Sequence, residues 1–114
     1  MSNSMDSEVS IKEKTITKFK RPKKWKIIFF NDDKTTMEYV TMVLVIIFKK
    51  TPEEAMSIML DVHKNGSRVI GVYAKAQAET LIQEATDFKV AYNKKMKEMG
   101  EVYFSYLKIR MEEE

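Results

Sequence analysis

The chain has 114 residues and a formal net charge of +3, and this length suits one domain of ordinary size. It contains no cysteine, one histidine and three glycines, which excludes disulfides, thiolate catalysis, multi-histidine metal sites and glycine-rich phosphate loops. The charge is uneven, because residues 1–24 carry seven basic and three acidic side chains, whereas residues 25–114 carry 13 basic and 14 acidic ones. The basic character belongs to the N-terminal segment, so it is weak support for a nucleic-acid-binding domain.

Residues 1–23 are rich in Ser, Thr and Lys, and their apolar residues occur singly. This pattern predicts a flexible N-terminal tail, followed by a folded core domain at residues 24–111. The N-terminus lacks the apolar stretch of a secretory signal. The longest apolar run, residues 42–48, has seven residues, against the ~20 that a membrane span needs. We therefore expect a cytoplasmic protein without a membrane partner.

The first predicted strand is Lys24 to Phe30, which is rich in aromatic and β-branched residues and ends at Asn31-Asp32-Asp33, a turn-forming sequence. Thr35 and Glu38 have the spacing of a capping box, which predicts a helix beginning at Thr36. The following residues include many β-branched side chains that favour a strand. A helix that continues towards residue 50 is nevertheless favoured by the capping box, the length of the segment and two lysines at its end.

A second helix is predicted by a second capping box, Thr51 to Glu54, with a proline at the first helical position. It is expected to end near Lys64, because Asn65-Gly66 is typical of a helix C-terminus. Arg68 to Tyr73 then predicts a short strand.

Apolar residues at helical spacing predict a long third helix over Ala76 to Glu98, ended by Gly100. Val102 to Ile109 predicts a last strand, and the acidic end, Glu112 to Glu114, is expected to be solvated. The element order β-α-α-β-α-β predicts an α+β fold: a small three-stranded antiparallel sheet with three helices packed on one face.

Three groups of residues invite a functional interpretation. They are the turn Asn31-Asp32-Asp33, the helical positions of Met37, Val40 and Leu44, and the set Met59, Val62 and His63 on one face of the second helix. Each group has a plainer explanation, since Asn and Asp are ordinary turn residues, Met and Val are ordinary core residues, and a lone histidine is usually structural. Together they could build a pocket that is half polar and half apolar.

Two kinds of chemistry compete with a binding pocket. A metal site could use Asp32, Asp33 and His63, but adjacent residues of an extended chain point to opposite sides, which leaves too few ligands. Hydrolysis by an Asp–His pair needs a nucleophile and an oxyanion hole, and no motif supplies them. We therefore expect no catalytic residues, no metal and no cofactor.

Several of these residues form a recognisable pattern. The sequence Asn31-Asp32-Asp33-x-Thr35-x-Met37-Glu38-Tyr39-Val40, then Met59-x-x-Val62-His63-x-x-Gly66, then Gly71-Val72-Tyr73, resembles the ClpS adaptor family of the bacterial Clp protease. The resemblance covers about residues 24–110, and its motif pieces keep the family's spacing without gaps from Asn31 to Glu79.

The resemblance implies a protein without chemistry of its own. Adaptors of this family bind N-degrons, the N-termini of proteins that begin with Leu, Phe, Tyr or Trp, and deliver them to a ClpA-type AAA+ unfoldase for proteolysis. The unfoldase contacts the adaptor through its own N-terminal domain and engages the adaptor's tail, here residues 1–23, during delivery.

The resemblance also implies roles for individual residues. By position, Asn31, Asp32 and His63 hold the α-amino group of the degron. The side-chain pocket is lined by Thr35, Met37, Val40, Met59 and Val62, with Asp33 and Tyr103 as further candidates.

The chain departs from the family pattern in places. Lys34 stands where an aromatic residue often occurs, and Thr36 where a proline is common. Ala76 and Leu81 replace a Glu and a Lys that contact the unfoldase in the family, which leaves the docking geometry and the identity of the unfoldase open.

The alternative from another class is a small basic ribosome- or RNA-associated protein, given the lysine-rich tail and an aromatic residue such as Trp25. A steep dependence of RNA binding on salt would favour it. The adaptor interpretation expects no nucleic-acid partner.

Overall fold

A three-stranded antiparallel sheet forms the frame of the molecule. The computed structural model describes residues 22–114, so the predicted tail at residues 1–23 lies outside the described residues except for its last two. The elements are β1 (Lys24–Phe30), α1 (Met37–Ile46), α2 (Pro52–Asn65), β2 (Ser67–Ala74), α3 (Lys75–Glu98) and β3 (Lys108–Glu113). The strand order is β2-β1-β3, with β1 in the centre and antiparallel to both neighbours. The predicted α+β fold and element order are confirmed.

The core lies between the sheet and the helices. In β1 the alternate residues Ile27 and Phe29 are fully buried, as expected for a strand with one face on the core. Tyr39 of α1 is also buried, and its ring lies 5.8 Å from that of Phe88 and 4.7 Å from that of Tyr92, both on α3. These aromatic contacts hold α1 and α3 together on one face of the sheet.

The start of α2 has the predicted capping box. The Thr51 hydroxyl accepts a hydrogen bond from the Glu54 amide at 3.1 Å, and the Glu54 carboxylate accepts one from the Thr51 amide at 3.0 Å. These hydrogen bonds hold the pKa of Glu54 below its usual range. At the other end Gly66 adopts φ 90°, a left-handed conformation that glycine adopts at little cost.

The predicted capping box at the start of α1 is wrong. The N-cap is Thr36, whose hydroxyl accepts from the Tyr39 amide at 3.1 Å, and the helix begins at Met37. The Thr35 hydroxyl instead accepts from the amide of Tyr106 at 2.7 Å. A threonine beside another threonine can therefore lose the capping role to its neighbour when a distant amide takes its hydroxyl.

The helix α1 also ends earlier than the lysines indicated. Its last residue is Ile46, and Lys49 lies outside it in a left-handed conformation with φ 59°. The Lys50 amide donates to the carbonyl of Leu44 at 3.0 Å, which turns the chain back over the helix end. The prediction of a helix is correct, and its continuation to residue 50 is wrong.

The predicted last strand, Val102 to Ile109, is largely wrong, because residues 101–107 form no regular element and β3 begins at Lys108. The side chain of Asn93 accepts from the Ser105 amide at 2.7 Å and donates to the Ser105 carbonyl at 3.0 Å. A side chain thus occupies the backbone groups that a neighbouring strand would otherwise bond.

The acidic end belongs to the sheet. Glu112 and Glu113 are exposed, as expected for solvated residues, but both are residues of β3 and pair with β1. Glu113 also lies 3.0 Å from the ammonium of Lys23. The folded region therefore extends to Glu113, two residues past the expected boundary at residue 111.

Candidate functional site

An open cavity of about 560 Å³ lies between the turn after β1, the start of α1 and the last turns of α2. The structure brings all ten predicted site residues to its wall, together with two that the sequence reasoning had not assigned. The lining residues are Asn31, Asp32, Asp33, Lys34, Thr35, Thr36, Met37, Val40, Met59, Val62, His63 and Tyr103.

One half of the cavity is apolar and is built by facing helices. Val40 of α1 and Met59 and Val62 of α2 are at most 8% exposed, and all three belong to the hydrophobic core. Met37, one helical turn before Val40, is 43% exposed and lies at the rim. The floor of the cavity is therefore a surface of the core, whereas Met37 lies where a ligand would enter.

The other half is polar and is placed by a link between β1 and α2. The amide of Asn31, just after β1, donates to the carbonyl of Gly66 at 2.9 Å. Since His63 lies in the last turn of α2, this bond brings the Asn31 amide group and the imidazole to the same side of the cavity. Both side chains are exposed, so they can reach a ligand from solvent.

Asp32 lines the cavity and also shapes the turn after β1. Its Oδ1 atom accepts hydrogen bonds from the amides of Lys34 at 2.9 Å and Thr35 at 2.6 Å. Such an Asp-centred turn fixes the backbone before α1. Both of these bonds use Oδ1, which leaves Oδ2 as the carboxylate oxygen for a ligand. The neighbouring Asp33 is exposed.

The wall at Tyr103 comes from the segment after α3. The bond from the Tyr106 amide to the Thr35 hydroxyl ties this segment to the turn, and the Lys34 ammonium lies 5.4 Å from the centre of the Tyr106 ring. The contribution of Tyr103 to the cavity thus depends on Thr35, although the two residues are far apart in sequence.

Ser105 anchors the same segment in the core. It is 2% exposed, and its hydrogen bond with the Tyr39 hydroxyl opposes the rise in the pKa of Tyr39 that burial causes. A buried polar side chain of this kind fixes the path of the chain, because leaving it without a partner is costly. Tyr103 therefore lies just before two fixed points of the chain, Ser105 in the core and Tyr106 at the Thr35 hydroxyl.

Lys34 and Thr36 line the cavity, although the sequence marks them only as departures from a family pattern. Their position between assigned residues of one short turn was the available signal.

No group of three His, Cys, Asp or Glu side chains within residues 22–114 could hold a metal ion. The arrangement combines hydrogen-bond acceptors with an adjacent apolar floor, which is the chemistry of a binding site for an ammonium group attached to an apolar side chain.

The relatives of this chain identify its family. Residues 20–97 match the family described as ATP-dependent Clp protease adaptor protein ClpS. The chain therefore belongs to the ClpS family.

Individual relatives agree with this assignment. The ATP-dependent Clp protease adapter protein ClpS of Clostridium acetobutylicum is 42% identical over 104 residues, which cover 90% of this chain and 100% of that protein. The ClpS of Acetivibrio thermocellus is 46% identical over 69 residues, which cover 60% and 70% of the two chains. The solved structure of Agrobacterium tumefaciens ClpS2 bound to L-phenylalaninamide superposes with a TM-score of 0.65 at 35% identity, covering 82% of this chain and 100% of that one.

The family is one of adaptors of a protease, so the chain is an adaptor and not an enzyme. This result favours the adaptor over the RNA-associated protein that the sequence had left open. In the part of the chain from residue 22 onwards, no helix combines the length and the apolar character needed to cross a membrane.

Proposed function

We propose that the protein binds N-degrons, taking the free α-amino group and the bulky hydrophobic side chain of a first residue such as Leu, Phe, Tyr or Trp. It then delivers the bound protein to a ClpA-type AAA+ unfoldase for proteolysis. The observation that carries this proposal is the cavity itself, with hydrogen-bond acceptors on one side and a core-anchored apolar floor on the other.

The polar side suits an α-ammonium group. This group has three donors and no acceptor, and it requires an amide oxygen, a carboxylate or a neutral imidazole nitrogen. Asn31, Asp32 and His63 offer one of each around a single cavity. Hydrogen bonds to a charged group contribute about 1.5–3 kcal/mol each, so an acetylated N-terminus would lose most of this contribution.

The apolar side suits the side chain of the first residue. Val40, Met59 and Val62 form a buried floor, and burying a Leu or Phe side chain contributes about 1.5–3 kcal/mol. Together with the polar contacts, and against the cost of association, micromolar affinity, about −8 kcal/mol, is expected.

The ligand of the A. tumefaciens relative supports the same chemistry. L-phenylalaninamide carries a free α-amino group, an aromatic side chain and an uncharged amide in place of a carboxylate. It therefore has the groups that an N-terminal phenylalanine presents at the start of a polypeptide.

Binding is tested with fluorescein-labelled peptides that differ in the first residue. Leu- and Phe-initiated peptides should bind at micromolar concentration, and the same peptides should bind poorly after Nα-acetylation. Met- and Ala-initiated peptides are the matched controls. Equal binding of free and acetylated peptides would overturn the assignment of the polar side.

Delivery is tested by removing part of the tail. An extended tail of 20 residues spans up to ~66 Å, enough to reach into the pore of a hexameric unfoldase. Deleting residues 1–20 should leave Leu-peptide affinity unchanged but abolish degradation of a Leu-initiated reporter by the cognate unfoldase and peptidase. Replacing the tail lysines with serine should do less harm, because reach matters more than charge. If the protein lacking residues 1–20 still supports reporter degradation at the full-length rate, this part of the proposal is wrong.

Docking on the unfoldase involves a surface that differs from the family pattern. Ala76 is exposed near the start of α3, while Leu81 is half-buried and packs against the core. Leu81 is directed to the core and cannot act as a surface lysine does, whereas a glutamate at the exposed position 76 would restore the residue common in the family. We therefore expect Ala76→Glu to strengthen binding to a ClpA-type N-terminal domain, measured by calorimetry, with Gln77→Glu as the control.

A further inference from the structure

A second cavity of about 430 Å³ adjoins the first. The two share Thr36 and Tyr103 in their walls, so the side chain of Tyr103 stands between them. The remaining lining residues of the second cavity are Glu38, Tyr92, Met96, Met99 and Glu101. Continuity with the first cavity makes it the next surface that a bound peptide can reach.

The second cavity combines apolar walls with carboxylates. Tyr92 and Met96 are half-buried, while Met99 and Tyr103 are 58% and 57% exposed. Glu38 and Glu101 are exposed and bring negative charge to the same cavity. A Lys or Arg side chain matches this combination, since it has a long apolar stem and a cationic head. The tyrosine rings add a favourable surface for a cation.

We propose that this cavity is a subsite for a basic side chain at the third residue of the bound peptide. The proposal rests on the proposed function, because it takes the first residue to occupy the cavity at Val40 and Met59. It extends that function from recognition of one residue to recognition of a short sequence that begins with a bulky hydrophobic residue and continues with a Lys or Arg.

The spacing of an extended peptide selects the third residue. Side chains alternate between the two sides of an extended chain, so residues 1 and 3 lie on the same side. They are about 6.6 Å apart along the chain, a separation that one aromatic side chain can fill. With the first side chain on one side of Tyr103, the third falls on the other side. The second residue points away from both cavities.

The test compares Leu-initiated peptides that differ at one position, using the full-length protein. The peptides carry Arg, Ala or Glu at position 3, and a further peptide carries Arg at position 2. We expect Arg at position 3 to tighten binding about three- to fivefold relative to Ala, the upper part of the range that an ion pair at an exposed site allows. Glu at position 3 should weaken binding, and Arg at position 2 should bind like Ala. Equal affinity for Arg and Ala at position 3 overturns the subsite.

Two variants assign the effect to the cavity. Glu38→Gln combined with Glu101→Gln should reduce the Arg-to-Ala ratio at position 3 to less than about twofold. Glu84→Gln, an exposed α3 carboxylate that does not line the cavity, should keep the ratio. An unchanged ratio in the double variant also overturns the subsite. Failure of the proposed function is distinguishable, because then even the Leu-Ala-Ala peptide would bind no better than its acetylated form.

Discussion

The floor and the rim of the first cavity are built differently. The floor residues Val40, Met59 and Val62 are buried and belong to the core, whereas the rim residues Met37 and His63 are exposed. A floor residue therefore contributes to folding and, under the proposed function, also to binding. A rim residue is placed by the backbone and can change without disturbing the fold. Substitutions at the floor should therefore change the free energy of unfolding, whereas substitutions at the rim should change mainly the peptide affinity.

Met59→Ala should show the largest effect. Removing a buried methionine side chain costs about 2–3 kcal/mol, and the enlarged floor should also bind Leu-initiated peptide more weakly. Met56→Ala on the same helix is the matched control, because Met56 is 55% exposed and should change stability by less than about 0.5 kcal/mol. Urea denaturation measures both. If the two variants are equally stable, the floor is not part of the core.

His63→Ala should weaken peptide binding by about 1.5 kcal/mol, roughly tenfold, and leave the free energy of unfolding nearly unchanged. Anisotropy titrations with a Leu-initiated peptide provide the affinity, and urea denaturation provides the free energy of unfolding. Wild-type affinity in the variant would contradict the role.

Thr35→Val should cost about 1 kcal/mol of stability, because the Tyr106 amide loses its acceptor. Peptide binding should weaken with it, since Tyr103 is no longer held at the cavity. Thr41→Val is the control, because the Thr41 hydroxyl bonds the Met37 carbonyl within its own helix on the exposed side. Hydrogen exchange at residues 103–106, measured by NMR, should rise in the first variant and stay unchanged in the second.

Met37→Ala should have the smallest effect and the opposite sign. We expect the shortened rim side chain to admit β-branched first residues and to raise the affinity for an Ile-initiated peptide about fourfold, the value of one buried methylene. Binding of the Leu-initiated peptide serves as the reference. The assignment of Met37 fails if Leu binding persists and Ile binding does not improve.

The two capping boxes show where sequence reasoning succeeds and where it stops. At Thr51 both hydrogen bonds connect residues three positions apart, so the local sequence contains the whole interaction. At Thr35 the same spacing occurs, but the hydroxyl is taken by an amide 71 positions away. Local patterns cannot reveal a competitor that only the tertiary structure brings close.

The last strand illustrates the same limit. Residues 102–109 carry aromatic and β-branched side chains as a strand does, yet Asn93 binds both backbone groups of Ser105. For the site, residue types alone indicated a pocket that is half polar and half apolar. The gathering of these residues at one cavity depended on the family's motif spacing, and the contributions of Lys34 and Thr36 required the structure.

The central position of β1 has a mechanical consequence. The chain enters the described region just before Lys24, and from Trp25 to Phe30 each residue of β1 pairs with both β2 and β3. A force applied to the N-terminal residues along β1 must break the backbone hydrogen bonds of β1 with both β2 and β3 before it reaches Asn31. A machine that grips the first residues of this protein would therefore pull on its most firmly held strand. The turn beyond that strand, where we propose that the peptide binds, carries no load until the sheet separates.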